Sequence, residues 1–228
     1  MPEVTDEYAY SVAASYKIGT QAVNADFPVE QAGDTWKLRE VAYDLSLSTS
    51  LNKTVPMLIN GVPVETERVS VFPGTYTFTS GLDYIGYGKS NKLLVQNLTD
   101  YPEDLGDIRP TLTSAGDKAF TKAVKKSLDK CMDSKKIKNA NCPNNFDKVR
   151  GAQPDNGTLK WSYDKDALDN MKVQLDYANP AIATAGVSLS LTATAECGGN
   201  PCRLTSTGPN PDPSANMTKD PLKIIWSN

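Results

Sequence analysis

The 228-residue chain contains no histidine. This absence excludes Ser-His-Asp and Cys-His nucleophile activation, histidine general bases, and zinc or haem sites with histidine ligands. The chain also lacks the run of about 18–20 apolar residues that crosses a membrane, and its polar, acidic start is not a signal peptide. A net charge of −3 argues against nucleic-acid binding. We therefore expect a protein that is not an enzyme and that carries no cofactor or metal.

Cysteines are few and occur as two local pairs. Cys131 and Cys142 bracket a polar segment rich in lysine and asparagine, and Cys197 and Cys202 bracket the turn sequence GGNP. We predict that each pair forms a disulfide, worth about 2–3 kcal/mol for loops this short. The alternatives are unpaired thiols or a zinc site, although the cysteine spacing differs from that of a zinc ribbon.

Disulfides form in oxidising compartments. The cysteine pairs therefore predict an extracytoplasmic location, either secreted or anchored at the cell surface. We expect the export signal or membrane anchor to lie outside these 228 residues.

Residues 1–100 alternate between strand-like runs and turns. Asn60-Gly61 lies between apolar runs and predicts a hairpin whose turn has positive φ at both central residues. Trp36 alternates with Leu38, which predicts a buried indole. We expect this region to be a β-rich, sandwich-like unit with hairpins over 53–95.

Residues 101–110 (YPEDLGDIRP) form a proline-flanked acidic linker, and helix signals follow it. Either Thr113 or Ser114 is suited to cap the helix. Apolar residues then recur with helical spacing and predict a buried stripe of Phe120, Val124, Leu128 and Cys131. Lysines occupy the other side, at Lys118, Lys122, Lys125 and Lys126, and continue at Lys135, Lys136 and Lys138 in the following loop. This basic surface predicts contact with an anionic partner, and simple solvation of the helix is the alternative.

Strand patterns resume after Gly157 and include a long strand predicted over 187–195, whereas 207–216 (TGPNPDPSAN) is predicted to be a loop. Trp161 alternates with Leu159, which predicts a second buried indole. A helix followed by antiparallel strands predicts that residues 111–228 form a helix-on-sheet unit, either cystatin-like or NTF2-like. The whole chain is thus predicted to be α+β and mostly β.

Two polar segments raise other possibilities. Four oxygen-bearing side chains between Asp164 and Asn170 resemble part of a calcium loop, although a short helical turn capped by Asp164 explains them equally. Tyr84, Tyr87 and Tyr101, with Lys89, are candidates for an aromatic patch that contacts glycans or peptides. The alternative for these tyrosines is ordinary packing.

The run Val55–Val64 (VPMLINGVPV), continued by Phe72-Pro73-Gly74-Thr75-Tyr76, resembles the PEGA-type module of bacterial surface proteins. It departs from that module at Glu65–Arg68, where a Gly-x-x-Pro step is usual. The LTSAG sequence beginning at Leu112, with the later Cys142-Pro143 step, is similar to uncharacterised extracytoplasmic regions of actinobacterial membrane proteins. These resemblances imply a membrane-anchored, envelope-facing β module without known catalysis.

The sequence therefore predicts a non-catalytic envelope module that is structural or binds a protein or an anionic envelope polymer. The alternative is an enzyme or small-ligand carrier with a pocket between the helix and its sheet. A deep apolar pocket with converging polar groups is the feature expected of that alternative.

Overall fold

The computed structural model describes residues 10–47, 53–98, 108–144, 153–205 and 212–227. The chain folds as two compact units: Met1–Gly81 with Tyr87–Pro110, and Leu82–Gly86 with Thr111–Asn228. The described residues are mostly antiparallel β-structure with one α-helix, which confirms the α+β, mostly β class.

The elements follow one another along the chain in this order: β1 (Tyr10–Ile18), β2 (Gln21–Ala32), β3 (Thr35–Leu38), β4 (Tyr43–Ser46), β5 (Leu58–Ile59), β6 (Val62–Pro63), β7 (Arg68–Val71), β8 (Gly74–Thr79), β9 (Ile85–Gly86), β10 (Lys92–Val95), β11 (Thr111–Leu112), α1 (Ser114–Met132), β12 (Lys160–Tyr163), a 3-10 helix (Lys165–Leu168), β13 (Lys172–Leu175), β14 (Ile182–Gly186), β15 (Leu191–Cys197), β16 (Asn200–Thr205), β17 (Pro213–Asn216) and β18 (Ile225–Trp226).

Within the described residues of the first unit, the strands form a meander ordered β1-β2-β3, a sheet ordered β10-β8-β5-β6, and the pair β4-β7. The predicted hairpin turn is present, because Asn60 and Gly61 both have positive φ, at 50° and 82°, between β5 and β6. The core of the unit lies among the later strands and contains Leu45, Leu47, Met57, Ile59, Val71, Phe78, Tyr87, Leu93, Val95 and Ile108.

The meander has one apolar and one polar face. Its register places Tyr10 opposite Val29 and Val12 opposite Phe27, so these side chains share a face. The end of this face nearest the β1–β2 turn is covered, since Val23 is buried and the Tyr16 hydroxyl donates a hydrogen bond to the backbone carbonyl of Gln96.

Trp36 lies at the other end of the apolar face, and the prediction that it is buried is wrong. Its side chain is 53% exposed and packs edge-on against the Tyr10 ring, with centroids 5.0 Å apart. Trp36 and Leu38 do share one face of the meander, as predicted. They pair with Gln31 and Val29 of β2, which are also two residues apart. Alternation shows which side chains share a face, but burial also requires a layer over that face.

In the second unit, α1 packs against β12 and β13. β12 belongs to the sheet β12-β15-β16, and β13 belongs to the sheet β13-β14-β17-β18. β11 and β9 form a separate two-stranded sheet, the third one that the described residues of this unit form. Trp161 is buried, as predicted. The predicted strand over 187–195 begins later, at Leu191, and β14 and β17 lie in segments where no strand was predicted.

The N-terminus of α1 is held by local contacts. Thr113 caps the helix by accepting a hydrogen bond from the Gly116 amide at 3.0 Å. The Thr113 hydroxyl also donates to the carbonyl of Asp83 at 2.7 Å, and its amide donates to the carbonyl of Tyr84 at 3.0 Å. This close approach depends on glycine, because a Cβ on Gly116 would lie 2.4 Å from the Tyr84 carbonyl oxygen.

Candidate functional site

The basic surface predicted on α1 is present at the protein surface. Lys118, Lys122, Lys125 and Lys126 are all exposed, and we refer to these four residues as the lysine face. Spacings of three and four residues place them along one side of the helix, over about 12 Å at 1.5 Å per residue. Within the described part of the chain, none of the four ammonium groups has a carboxylate at ion-pair distance.

The opposite side of α1 fixes the orientation of the lysine face. Phe120, Val124 and Leu128 have no solvent exposure, and Cys131 is 2% exposed. One indole anchors the helix itself, since the Trp226 N–H donates to Ser127 Oγ at 3.0 Å. The Trp161 N–H donates to the carbonyl of Lys136 at 3.2 Å and so holds the loop that follows α1. The helix therefore has little freedom to turn its lysines away from solvent.

An acidic residue interrupts the basic surface. Asp129 lies one turn after Lys125, and its carboxylate accepts a hydrogen bond from the Tyr163 hydroxyl at 3.1 Å. Partial burial, reinforced by this carboxylate, raises the pKa of Tyr163. The contact joins Asp129 to β12.

The loop that follows α1 is held by the first of the two predicted disulfides. Cys131 and Cys142 are bonded, with Cα atoms 5.7 Å apart, and we call this bond the helix disulfide. The buried Asn144 side chain donates to the carbonyl of Cys131 at 3.1 Å. Lys135 and Lys136 are exposed in this loop, beyond the C-terminal end of α1.

The second predicted disulfide, Cys197–Cys202, is also formed and joins β15 to β16; we call it the hairpin disulfide. The turn inside it contacts Asp155, whose two carboxylate oxygens accept hydrogen bonds from the amides of Gly199 at 2.9 Å and Gly198 at 3.1 Å. These amides lower the pKa of Asp155. Sequence reasoning missed this contact, because the partners are more than 40 residues apart and no local pattern links them.

The tyrosines proposed as an aromatic patch do not form one in the described residues. Tyr87 is 2% exposed and belongs to the core of the first unit, where its hydroxyl donates to the carbonyl of Pro56 at 3.2 Å. Tyr84 belongs to the second unit and donates to Asp220 at 3.3 Å. Tyr101 lies outside the described residues. Packing, the alternative, accounts for Tyr87.

The Asp164–Asn170 segment forms the short helical turn. Asp164 caps a 3-10 helix by accepting a hydrogen bond from the amide of Asp166 at 3.2 Å. Among the residues that the structure describes, no three acidic, cysteine or histidine side chains cluster as metal ligands would. Nor does any helix there have both the length and the apolar character needed to cross a membrane.

Comparison of the chain with protein-family models, curated proteins and solved structures finds no match.

Proposed function

We propose that this chain is a non-catalytic, extracytoplasmic module that binds an anionic polymer of the cell envelope through the lysine face of α1. The observation that carries the proposal is the row of four exposed lysines, without ion-pair partners among the described residues, on a helix whose other side is buried. Lysines whose charges are not neutralised within the protein are available to an external anion.

The charge distribution supports an anionic partner. Residues 117–150 contain ten basic and four acidic residues, a balance of +6, so the remainder of the −3 chain carries −9. Exposed charges act over a Debye length of about 8 Å at physiological salt, so the partner must come close to the helix. Binding of this kind is weak for each contact and sensitive to salt.

The character of the helix favours a polymer over a lipid bilayer. A helix that binds a membrane surface inserts apolar side chains into the interface. In α1 the apolar stripe is buried beneath the sheets, and the large exposed hydrophobic residues of the described chain lie on other elements. The lysine face thus offers charge without side chains for insertion.

The helix–sheet interface supports surface binding rather than a ligand carried in an internal pocket. Large side chains fill it, including Phe120, Leu128, Trp161 and Trp226, all less than 10% exposed. The two disulfides support the extracytoplasmic location, since such bonds persist in oxidising compartments.

Co-sedimentation with cell walls that carry teichoic acid, at low and physiological salt, tests the proposal. We expect the wild type to sediment at low salt and a Lys122→Glu/Lys125→Glu/Lys126→Glu variant to remain in solution. The matched control is Lys160→Glu/Lys172→Glu/Lys219→Glu, which changes the net charge equally at exposed lysines outside α1.

The control variant should sediment like the wild type. Equal sedimentation of all three proteins would mean that the lysine face is only solvated. Sedimentation with anionic liposomes but not with the cell walls would overturn the choice of a polymer as partner.

A further inference from the structure

Among the described residues, one edge of β1, the outer strand of the N-terminal meander, pairs with no other strand. A two-residue turn at Gly19-Thr20 joins β1 to β2, and the closing pair is Ile18 with Gln21. In such a hairpin the closing pair is hydrogen-bonded and bonding then alternates, so the even-numbered residues of β1 bond to β2. The backbone groups of the odd-numbered residues point outward, at Ser11, Ala13, Ser15 and Lys17.

These outward-facing residues are available for pairing. All four are exposed, and within the described residues no strand pairs with this side of β1. The edge is nine residues long, with Lys17 as its one charged residue and no proline. Proteins usually protect an exposed edge with charges, prolines, bulges or short length, and β1 has little of this protection.

We propose that β1 pairs antiparallel with β1 of a second copy of this chain, with Ala14 opposite Ala14 on the two-fold axis. This register uses all nine residues of the strand. It places Ser11 opposite Lys17 of the second copy and Ala13 opposite its Ser15. Those are the residues with outward-facing backbone groups, so the register forms about eight hydrogen bonds, two in each of its bonded pairs.

The side chains suit this register. On the apolar face, Tyr10 lies beside Ile18 of the second copy and Val12 beside its Tyr16, which are favourable aromatic and β-branched pairs. On the polar face, Lys17 of the second copy lies next to Ser11 and extends towards Asp26, which pairs with Ala13 in β2. Asp26 has no ion-pair partner in the described part of the chain.

The size of the exposed apolar patch favours edge pairing over stacking of two apolar faces. Tyr10 and Trp36 are each about half exposed, which leaves roughly 75–125 Å² of each side chain in water, and the smaller Val12 and Leu38 on the same face are about half exposed as well. A stable interface buries about 800 Å² on each partner. Stacking would therefore need far more surface than these side chains supply, whereas edge pairing adds backbone hydrogen bonds along the whole strand.

Cysteine cross-linking tests the register. The four native cysteines are all in disulfides, so an introduced cysteine is the sole free thiol. We expect Ala14→Cys to form a covalent dimer under mild oxidation, because directly opposite residues in a non-hydrogen-bonded pair have Cα atoms about 4.5 Å apart. Ala13→Cys is the matched control, since Ala13 faces Ser15 of the second copy and should cross-link poorly.

Light scattering after size exclusion tests the role of the edge. We expect a concentration-dependent rise of the wild-type mass from 24.7 kDa towards twice that value. Ala13→Pro removes an outward N–H but no bond to β2, and should weaken the dimer about tenfold or more, whereas Ala13→Ser should not.

A wild type that stays monomeric at every concentration would overturn the proposal, as would a dimer that Ala13→Pro leaves unchanged. Cross-linking of Ala13→Cys as fast as Ala14→Cys would refute the register. If Ala13→Pro fails to fold, as judged by circular dichroism, the cysteine pair decides alone.

Discussion

Replacing Gly116 by alanine sets helix propensity against packing. Alanine is favoured over glycine inside a helix by about 1 kcal/mol, so propensity alone predicts a more stable protein. The new Cβ, however, would lie 2.4 Å from the Tyr84 carbonyl oxygen and 2.9 Å from Leu112 Cδ1. The backbone at Tyr84 would have to move by about 1 Å to restore ordinary van der Waals separation.

That movement would stretch two hydrogen bonds from Thr113, to the carbonyl oxygens of Tyr84 and Asp83, which are now 3.0 and 2.7 Å long. Each contributes about 0.5–1.5 kcal/mol, and overpacking typically costs about 1–3 kcal/mol. The cost of overpacking should exceed the gain in helix propensity. We therefore expect Gly116→Ala to lower the free energy of unfolding by about 1–3 kcal/mol.

Urea unfolding followed by circular dichroism at 222 nm measures this change, because α1 is the one α-helix in the described chain. The control is Ala115→Gly at the exposed neighbouring position, which should cost only about 0.5–1 kcal/mol. A Gly116→Ala protein as stable as the wild type, or more stable, would refute the reasoning.

Three further predictions follow from burial. Trp161→Ala should lower the free energy of unfolding of the second unit, measured in urea, by about 3–5 kcal/mol. Trp36→Ala, at a half-exposed site, should lower that of the first unit clearly less. Equal losses would contradict the register described for β3. Thiol titration during mild reduction should show that the partly exposed hairpin disulfide is reduced before the buried helix disulfide. The reason is that the attacking thiolate must reach a sulfur atom of the bond. The reverse order would be inconsistent with the burial of the two disulfides. Burial raises the pKa of Tyr87 from 10.0 to about 12. The buried neutral Tyr87 therefore contributes fully to the free energy of unfolding below pH 10, and this contribution is lost as the pH rises from 10 to 12. Ultraviolet titration of the folded wild type and of Tyr87→Phe should therefore give the same absorbance change up to about pH 10, and a larger change in the wild type would show that Tyr87 ionises normally.

Local sequence signals predicted the elements that depend on local physics. The stripe of α1, its cap at Thr113 and the turn at Asn60-Gly61 all have their chemistry within a few residues. The cysteine pairs were equally local, since each closes a short loop.

The missed features depend on distant partners. β14 (IATAG) and β17 (PSAN) are short segments made mostly of small residues. The two strands pair with each other, and β13 and β18 pair with their outer edges. Trp36 was predicted to be buried, but its indole lies on an uncovered face. For Tyr87 the sequence left an exposed patch and ordinary packing open, and the side chain lies in a core. Residue type and alternation do not report which face another layer covers.

The central claim is that charges of the lysine face bind an anionic envelope polymer. It is tested most directly by the salt dependence of binding to immobilised polyglycerol phosphate. Counterion release makes the logarithm of the affinity fall linearly with the logarithm of salt concentration, with a slope that grows with the number of lysines engaged. We predict a clear slope for the wild type, the same slope for Lys160→Glu/Lys172→Glu/Lys219→Glu, and a smaller slope with weaker binding for Lys122→Glu/Lys125→Glu/Lys126→Glu. Undetectable wild-type binding at low salt, or one slope shared by all three proteins, would contradict the claim.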